Sequence, residues 1–182
     1  MRTRLRSAIV ALLAAGALVA APTAAGAAGH TPSAYNSDLA ELRASIAQYH
    51  NTDHAMADGY LPPEEGTLLD ACFTLPDAGM GVHWADWSLY DTTAEVGAPE
   101  LLVYEPMRNG GLRLVAVEYI VPQAEWDAEH DDPPMLFDRV MQVVAPPGTA
   151  PFYALHAWVF KHNPWGMHAD FNPDVTCEHW EG

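Results

Sequence analysis

Positive charge is what this sequence most lacks. Its 182 residues hold 8 Lys+Arg against 24 Asp+Glu, a formal charge of -16, so its long-range field repels nucleic-acid phosphates and anionic lipid headgroups. Nucleic acid is excluded as an expected partner. Cysteine is nearly absent as well, with Cys72 and Cys177 the whole supply. Beyond residue 29, no apolar run approaches the roughly 20 residues that a membrane span requires. The chain also has no nucleophile elbow, phosphate-binding glycine loop, dinucleotide fingerprint or HExxH helix, which leaves those catalytic classes without support.

The start of the chain is compositionally distinct. Arg2, Arg4 and Arg6 precede an apolar stretch from Ala8 to Ala20 and a small-residue site at Ala25-Gly26-Ala27, the pattern of a secretory signal over residues 1–29. Residues 30–182 are then expected to form one globular domain released outside the cell, without a lipid anchor or twin-arginine signal. In an oxidising compartment Cys72 and Cys177 are expected to pair, closing a loop of more than 100 residues for a chain-entropy stabilisation of about 4–5 kcal/mol. Cleavage after Gly29 would make His30 an N-terminal copper chelator, whereas cleavage after Ala27 would abolish that site.

Leu39, Leu42, Ile46 and Tyr49 recur at helical spacing within Ser33 to Tyr60, behind a possible Ser37 cap. A break is expected at Asn51-Thr52-Asp53 and a stop at Gly59. From Cys72 onward, aromatic and β-branched residues alternate with turn formers, which predicts short antiparallel strands. Glu100–Pro106 and Leu112–Val121 flank Arg108-Asn109-Gly110-Gly111, a hairpin signature in which Leu101 opposes Glu118 and Glu105 opposes Leu114. Both carboxylates then share a face, roughly 13 Å apart along the hairpin. Phe152–Lys161 reads as a central strand and Met80–Trp84 as a weaker one. Val140–Ala145 is open to either a strand or a helix, and Gln123–Pro134 reads as an acidic loop.

Nine His accompany a single Lys, and several ionisable groups interrupt apolar strands. His83, Glu105, Glu118 and His156 each occupy a position where an apolar side chain is expected, at a cost unless the group is paired or bound to metal. Two His and one Glu from different strands would suit Zn, Fe, Mn or Cu with positions left open. The competing structural reading is a buried hydrogen-bonded network in which His156 pairs with Glu118. Trp84, Tyr104, Tyr119, Trp158 and His168 are candidate pocket residues, with core packing as the alternative for the aromatics. Trp87 and Trp165 join Trp84 and Trp158 as residues that could line a sugar or aromatic-ligand pocket or pack in the core. The turn between His162 and His168 reads as a pocket lip or plain surface, His50 and His54 as a helix pair weakened by the break, and Glu125 to Asp132 as a solvated acidic stretch.

Tyr49-His50, Ala57-Asp58-Gly59-Tyr60, Gly79-Met80-Gly81-Val82-His83-Trp84, Pro99 through Pro106, Val117 through Pro122, Leu155-His156-Ala157-Trp158, Asn163 through Met167 and Phe171 through Cys177 together resemble a family of small secreted bacterial proteins. The resemblance spans nearly the whole chain after the leader and departs most from Glu125 to Ala150. It implies that His83, Glu105, Glu118 and His156 belong to one architecture, and it implies no activity, ligand or cofactor.

The sequence therefore predicts an α+β domain: N-terminal helices on a curled antiparallel sheet of about five strands, with a cupin-like barrel as the alternative. Functionally it predicts a secreted transition-metal protein, a metalloenzyme among its forms, using His83, Glu118 and His156 with Glu105 as fourth ligand or outer base. The alternatives are a non-enzymatic extracellular module binding a small molecule, its His and Glu residues being structural, and a buffer holding several ions weakly.

Overall fold

The computed structural model describes residues 32–67 and 69–181; the leader and His30 lie outside them. Helix α1 (Pro32–Ile46) runs into a 3-10 turn (Ala47–His50), and helix α2 (Thr52–Ala57) follows. Leu42 and Ile46 are fully buried and Leu39 nearly so, as their spacing predicts. Ser37 lies inside α1 rather than capping it. The break at Asn51 is real, because its side chain accepts a hydrogen bond from Asp53 N and caps α2. Gly59, with φ of 108°, carries the chain out of that helix.

Eight strands follow: β1 (Cys72–Leu75), β2 (Ala78–Ala85), β3 (Leu101–Pro106), β4 (Leu112–Pro122), β5 (Met135–Leu136), β6 (Arg139–Val140), β7 (Gln142–Val144) and β8 (Phe152–Ala157). Six form one antiparallel sheet in the order β1-β2-β3-β4-β8-β7, and β5 and β6 form a separate ribbon. The sheet is curled but open, with β1 and β7 as unpaired edges, so the α+β architecture holds and the closed cupin-like barrel does not. The helical alternative for Val140–Ala145 fails because Phe137 and Asp138 take positive φ and turn β5 back on β6. Helix α3 (Gln123–Asp127) opens the stretch expected to be a loop. β8 ends at Ala157, where Trp158 N turns to Met167 O.

Strand alternation divides the sheet into two faces. Val82, Trp84, Leu102, Tyr104, Val117, Tyr119 and Leu155 join Leu39, Leu42 and Ile46 in the main core under the helices. The opposite face carries Val103, Ala116, Leu101 and Ile120 in two smaller clusters, along with the sheet's buried His and Glu residues. The hairpin register is Leu101 opposite Glu118, as expected, but Glu105 faces Arg113 rather than Leu114. An extra residue at Val115 shifts the register between the two ends.

The segment after β8 folds back across this second face. Asn163 Nδ2 donates to Phe171 O, Asn172 Nδ2 donates to His162 O, and Gly79 pairs with Asn172 through both backbone groups. Cys177 is disulfide-bonded to Cys72 across 105 residues, fixing β1 to this returning segment. The paired glycines of Gly79-Met80-Gly81 answer to close approach: a Cβ on Gly79 would lie 2.7 Å from Val175 O, and one on Gly81 2.6 Å from Tyr104 O. Between them Met80 is the extra residue of a bulge against β1. Gly110 also has positive φ, but open space surrounds it. Gly81→Ala is therefore expected to cost about 3 kcal/mol or more, against about 1 kcal/mol for Gly110→Ala, in equilibrium denaturant unfolding; equal costs would contradict the close approach.

Candidate metal centre

Three strands of the second face bring His83, Glu118 and His156 together. Glu118 and His156 are direct cross-strand partners on β4 and β8, whereas His83 on β2 lies beyond β3, opposite Val103. The Glu118 side chain spans that gap: His83 Nε2 lies 3.3 Å and His156 Nε2 3.7 Å from the same Oε2. One potential ligand atom from each residue lies within 4.8 Å of the others. The three residues are 1%, 9% and 2% exposed for His83, Glu118 and His156.

Four of the five buried side-chain polar atoms without a hydrogen-bond partner, among the described residues, are the ring nitrogens of His83 and His156. Leaving such groups unsatisfied costs about 1–3 kcal/mol each. The contacts to Glu118 are longer than the ~2.7–2.9 Å of a charge-assisted hydrogen bond, and neither imidazole meets hydrogen-bond geometry there. Metal coordination demands a different arrangement. Bonds of ~2.1 Å at a tetrahedral angle separate donor atoms by ~3.4 Å and turn each N···O line ~35° away from the nitrogen lone pair. The group is positioned to hold a metal ion through two imidazoles and one carboxylate, a donor set suited to Zn, Fe, Mn or Cu.

Burial pushes the Glu118 carboxyl up, but the adjacent His156 and His83 outweigh it and hold the group below its usual range. Burial lowers His156, yet Glu118 and Asp170 reverse that and raise it. Asp170 Oδ1 lies 3.7 Å from His156 Nδ1, on the side away from Glu118. Asp170 acts on the ring as a nearby negative charge, since His156 Nδ1 has no hydrogen-bond partner.

A cavity of about 370 Å³ opens over the cluster, reaching His83, Glu118 and His156 from walls that include Phe73, Met80, Val144, Phe152 and Phe171. The expected pocket residues are elsewhere. Trp84, Tyr104 and Tyr119 point into the main core, with the tyrosine hydroxyls donating to Tyr49 O and Val96 O. Trp158 is buried and donates to Ala169 O. His168 ties Tyr35 of α1 to His156 O, and burial holds it below its ordinary value. The helices cover one face, so aromatics of that parity become core. The true walls come from β1, β7, β8 and the segment at residues 170–171, whose meeting no local pattern announces.

Glu105 is not part of the cluster. Its carboxylate is held by Lys161, 2.8 Å from Oε1, and by both Nε and a terminal nitrogen of Arg113. The sequence's single Lys is thus committed to this buried pair. His50 stacks edge-on against Phe160, and His130 stacks on Trp126. No helix among the described residues is long and apolar enough to cross a membrane. Compared with protein-family models, curated proteins and solved structures, the chain finds no match.

Burial raises the Glu105 carboxyl, but Lys161 and Arg113 more than offset it and leave it below its ordinary value. A depressed carboxyl contributes stability above its unfolded value of about 4.3 and loses it as pH falls through the folded value. Glu105→Gln is expected to cost about 1–3 kcal/mol at pH 7 and to flatten the stability loss below about pH 4. Urea unfolding at a series of pH values checks this; parallel acid limbs would contradict it.

Proposed function

We propose that the protein binds one divalent transition-metal ion through His83 Nε2, Glu118 and His156 Nε2, and that it does so as a secreted protein. The observation that carries this reading is the pair of unpartnered Nε2 atoms converging on one buried carboxylate. A bound ion takes the Nε2 lone pair of each imidazole and balances the carboxylate, which the hydrogen-bonded alternative does not achieve at these distances. The leader pattern and the Cys72–Cys177 disulfide support export to an oxidising compartment.

Three protein donors leave coordination positions on the cavity side, the arrangement of metal sites that act on a ligand rather than merely brace a fold. The ion there supplies Lewis-acid chemistry. The protein supplies His83 and His156 as neutral donors, Asp170 as a negative charge beside His156, and aromatic and aliphatic walls around the open side. Of the four tryptophans that could line a pocket, Trp84 and Trp158 are buried away from this cavity, while Trp87 and Trp165 are exposed elsewhere.

Elemental analysis of tag-free protein after dialysis tests the proposal. About one equivalent of a transition metal is expected, and it should be lost in His83→Ala and His156→Ala variants whose circular dichroism shows them folded. Absence of metal from the purified protein, with no uptake when the metal-free protein is titrated with Zn, Fe, Mn or Cu ions, would overturn it. Several weakly held ions surviving in both variants would point to diffuse binding by the acidic surface instead.

A further inference from the structure

We propose that the cavity over this centre receives a small apolar molecule bearing one acidic oxygen, of the phenol or enol kind, with that oxygen taking an open position on the metal. The inference rests on the metal-binding reading and adds the chemistry of the occupant. Charge comes first. A divalent ion with its three direct ligands, one carboxylate and two neutral imidazoles, carries a net single positive charge. The Asp170 carboxylate, 73% exposed, is screened by solvent, and an anionic oxygen on the ion closes the inner balance.

The rest of the cavity then limits the body attached to that oxygen. Phe73, Met80, Val144, Phe152 and Phe171 present aromatic and aliphatic surface, and no Lys or Arg lines the space. A phosphate or a second carboxylate would find no partner away from the metal, and Asp170 at the wall would repel it. Apart from the two imidazoles, Gln142 is the one uncharged polar side chain among the lining residues. The volume of about 370 Å³ lies within the usual range of small-molecule sites and is enough for a substituted ring.

The surrounding structure holds these walls in place. Phe73 projects from β1 beside the Cys72 disulfide and meets the His83 ring edge-on at 5.5 Å. Met80 is turned out by the bulge between Gly79 and Gly81. Phe171 is fixed by Asn163 donating to its carbonyl. Val144 and Phe152 are cross-strand partners on β7 and β8. Walls built from separately anchored elements are the mark of a largely preformed pocket.

The test uses the full-length secreted protein loaded with Co(II), its metal content measured first and its visible absorption followed during titration with hydroxamates. Acetohydroxamate and benzohydroxamate share one metal-binding head, and only the second carries a ring. Benzohydroxamate is expected to bind at least about tenfold more tightly, the gain from burying a ring. 4-Carboxybenzohydroxamate, with a second charge on the same ring, should fall back to the acetohydroxamate level. Val144→Asp, in the cavity wall on the edge strand, should remove the preference for benzohydroxamate over acetohydroxamate while Co(II) content stays at one equivalent. Co(II) bound at one equivalent with all three hydroxamates binding alike, or with none changing the spectrum, would overturn this inference and leave the metal reading standing. Failure to bind Co(II), or any of the metals tried above, would overturn both.

Discussion

Two imidazoles and a carboxylate buried on one face of a sheet are costly unless they are paired or bound, and the second face of this protein is arranged around that constraint. Glu118 meets His156 across adjacent strands and reaches His83 over β3 through a single oxygen. Mutual pairing answers the charge only in part, because neither Nε2 meets hydrogen-bond geometry to the carboxylate. An ion between them converts three costly burials into one compact centre. The cavity, the outer carboxylate of Asp170 and the walls then acquire a common purpose.

Much of the remaining sequence serves to place these groups. The glycines at 79 and 81 let β2 approach both β3 and the returning segment, and the bulge between them directs Met80 into the cavity. Asn163 and Asn172, both buried, spend their side chains on backbone groups of the segment that delivers Asp170 and Phe171. The disulfide joins that segment to β1, so the two walls of the cavity cannot separate easily. The helices contribute from the other side, where Leu42 and Ile46 press on the sheet and leave its second face free for the centre.

His83, Glu118 and His156 were legible because a titratable group inside an apolar strand demands a reason. Glu105 shows the same local signature and has a different reason: Lys161, 56 residues away, meets it, and no spacing rule encodes that encounter. The helical face of Leu39, Leu42 and Ile46 was readable from its period, as was one end of the β3–β4 register. The extra residue at Val115 was not, since no glycine or proline marks it and only the pairing reveals it. Trp84, Tyr104 and Tyr119 stayed open between pocket and core for a related reason. Parity along a strand tells which residues share a face, but only the docking of the helices decides which face becomes core.

X-ray absorption spectroscopy on the protein loaded with one equivalent of zinc tests the central claim most directly. The account predicts a first shell at about 2.0–2.1 Å, without sulfur, in which the outer-ring scattering of two imidazoles is visible. His156→Ala should reduce that scattering to one imidazole. A shell made only of oxygen atoms, or imidazole scattering unchanged in the variant, would contradict it and place the ion elsewhere.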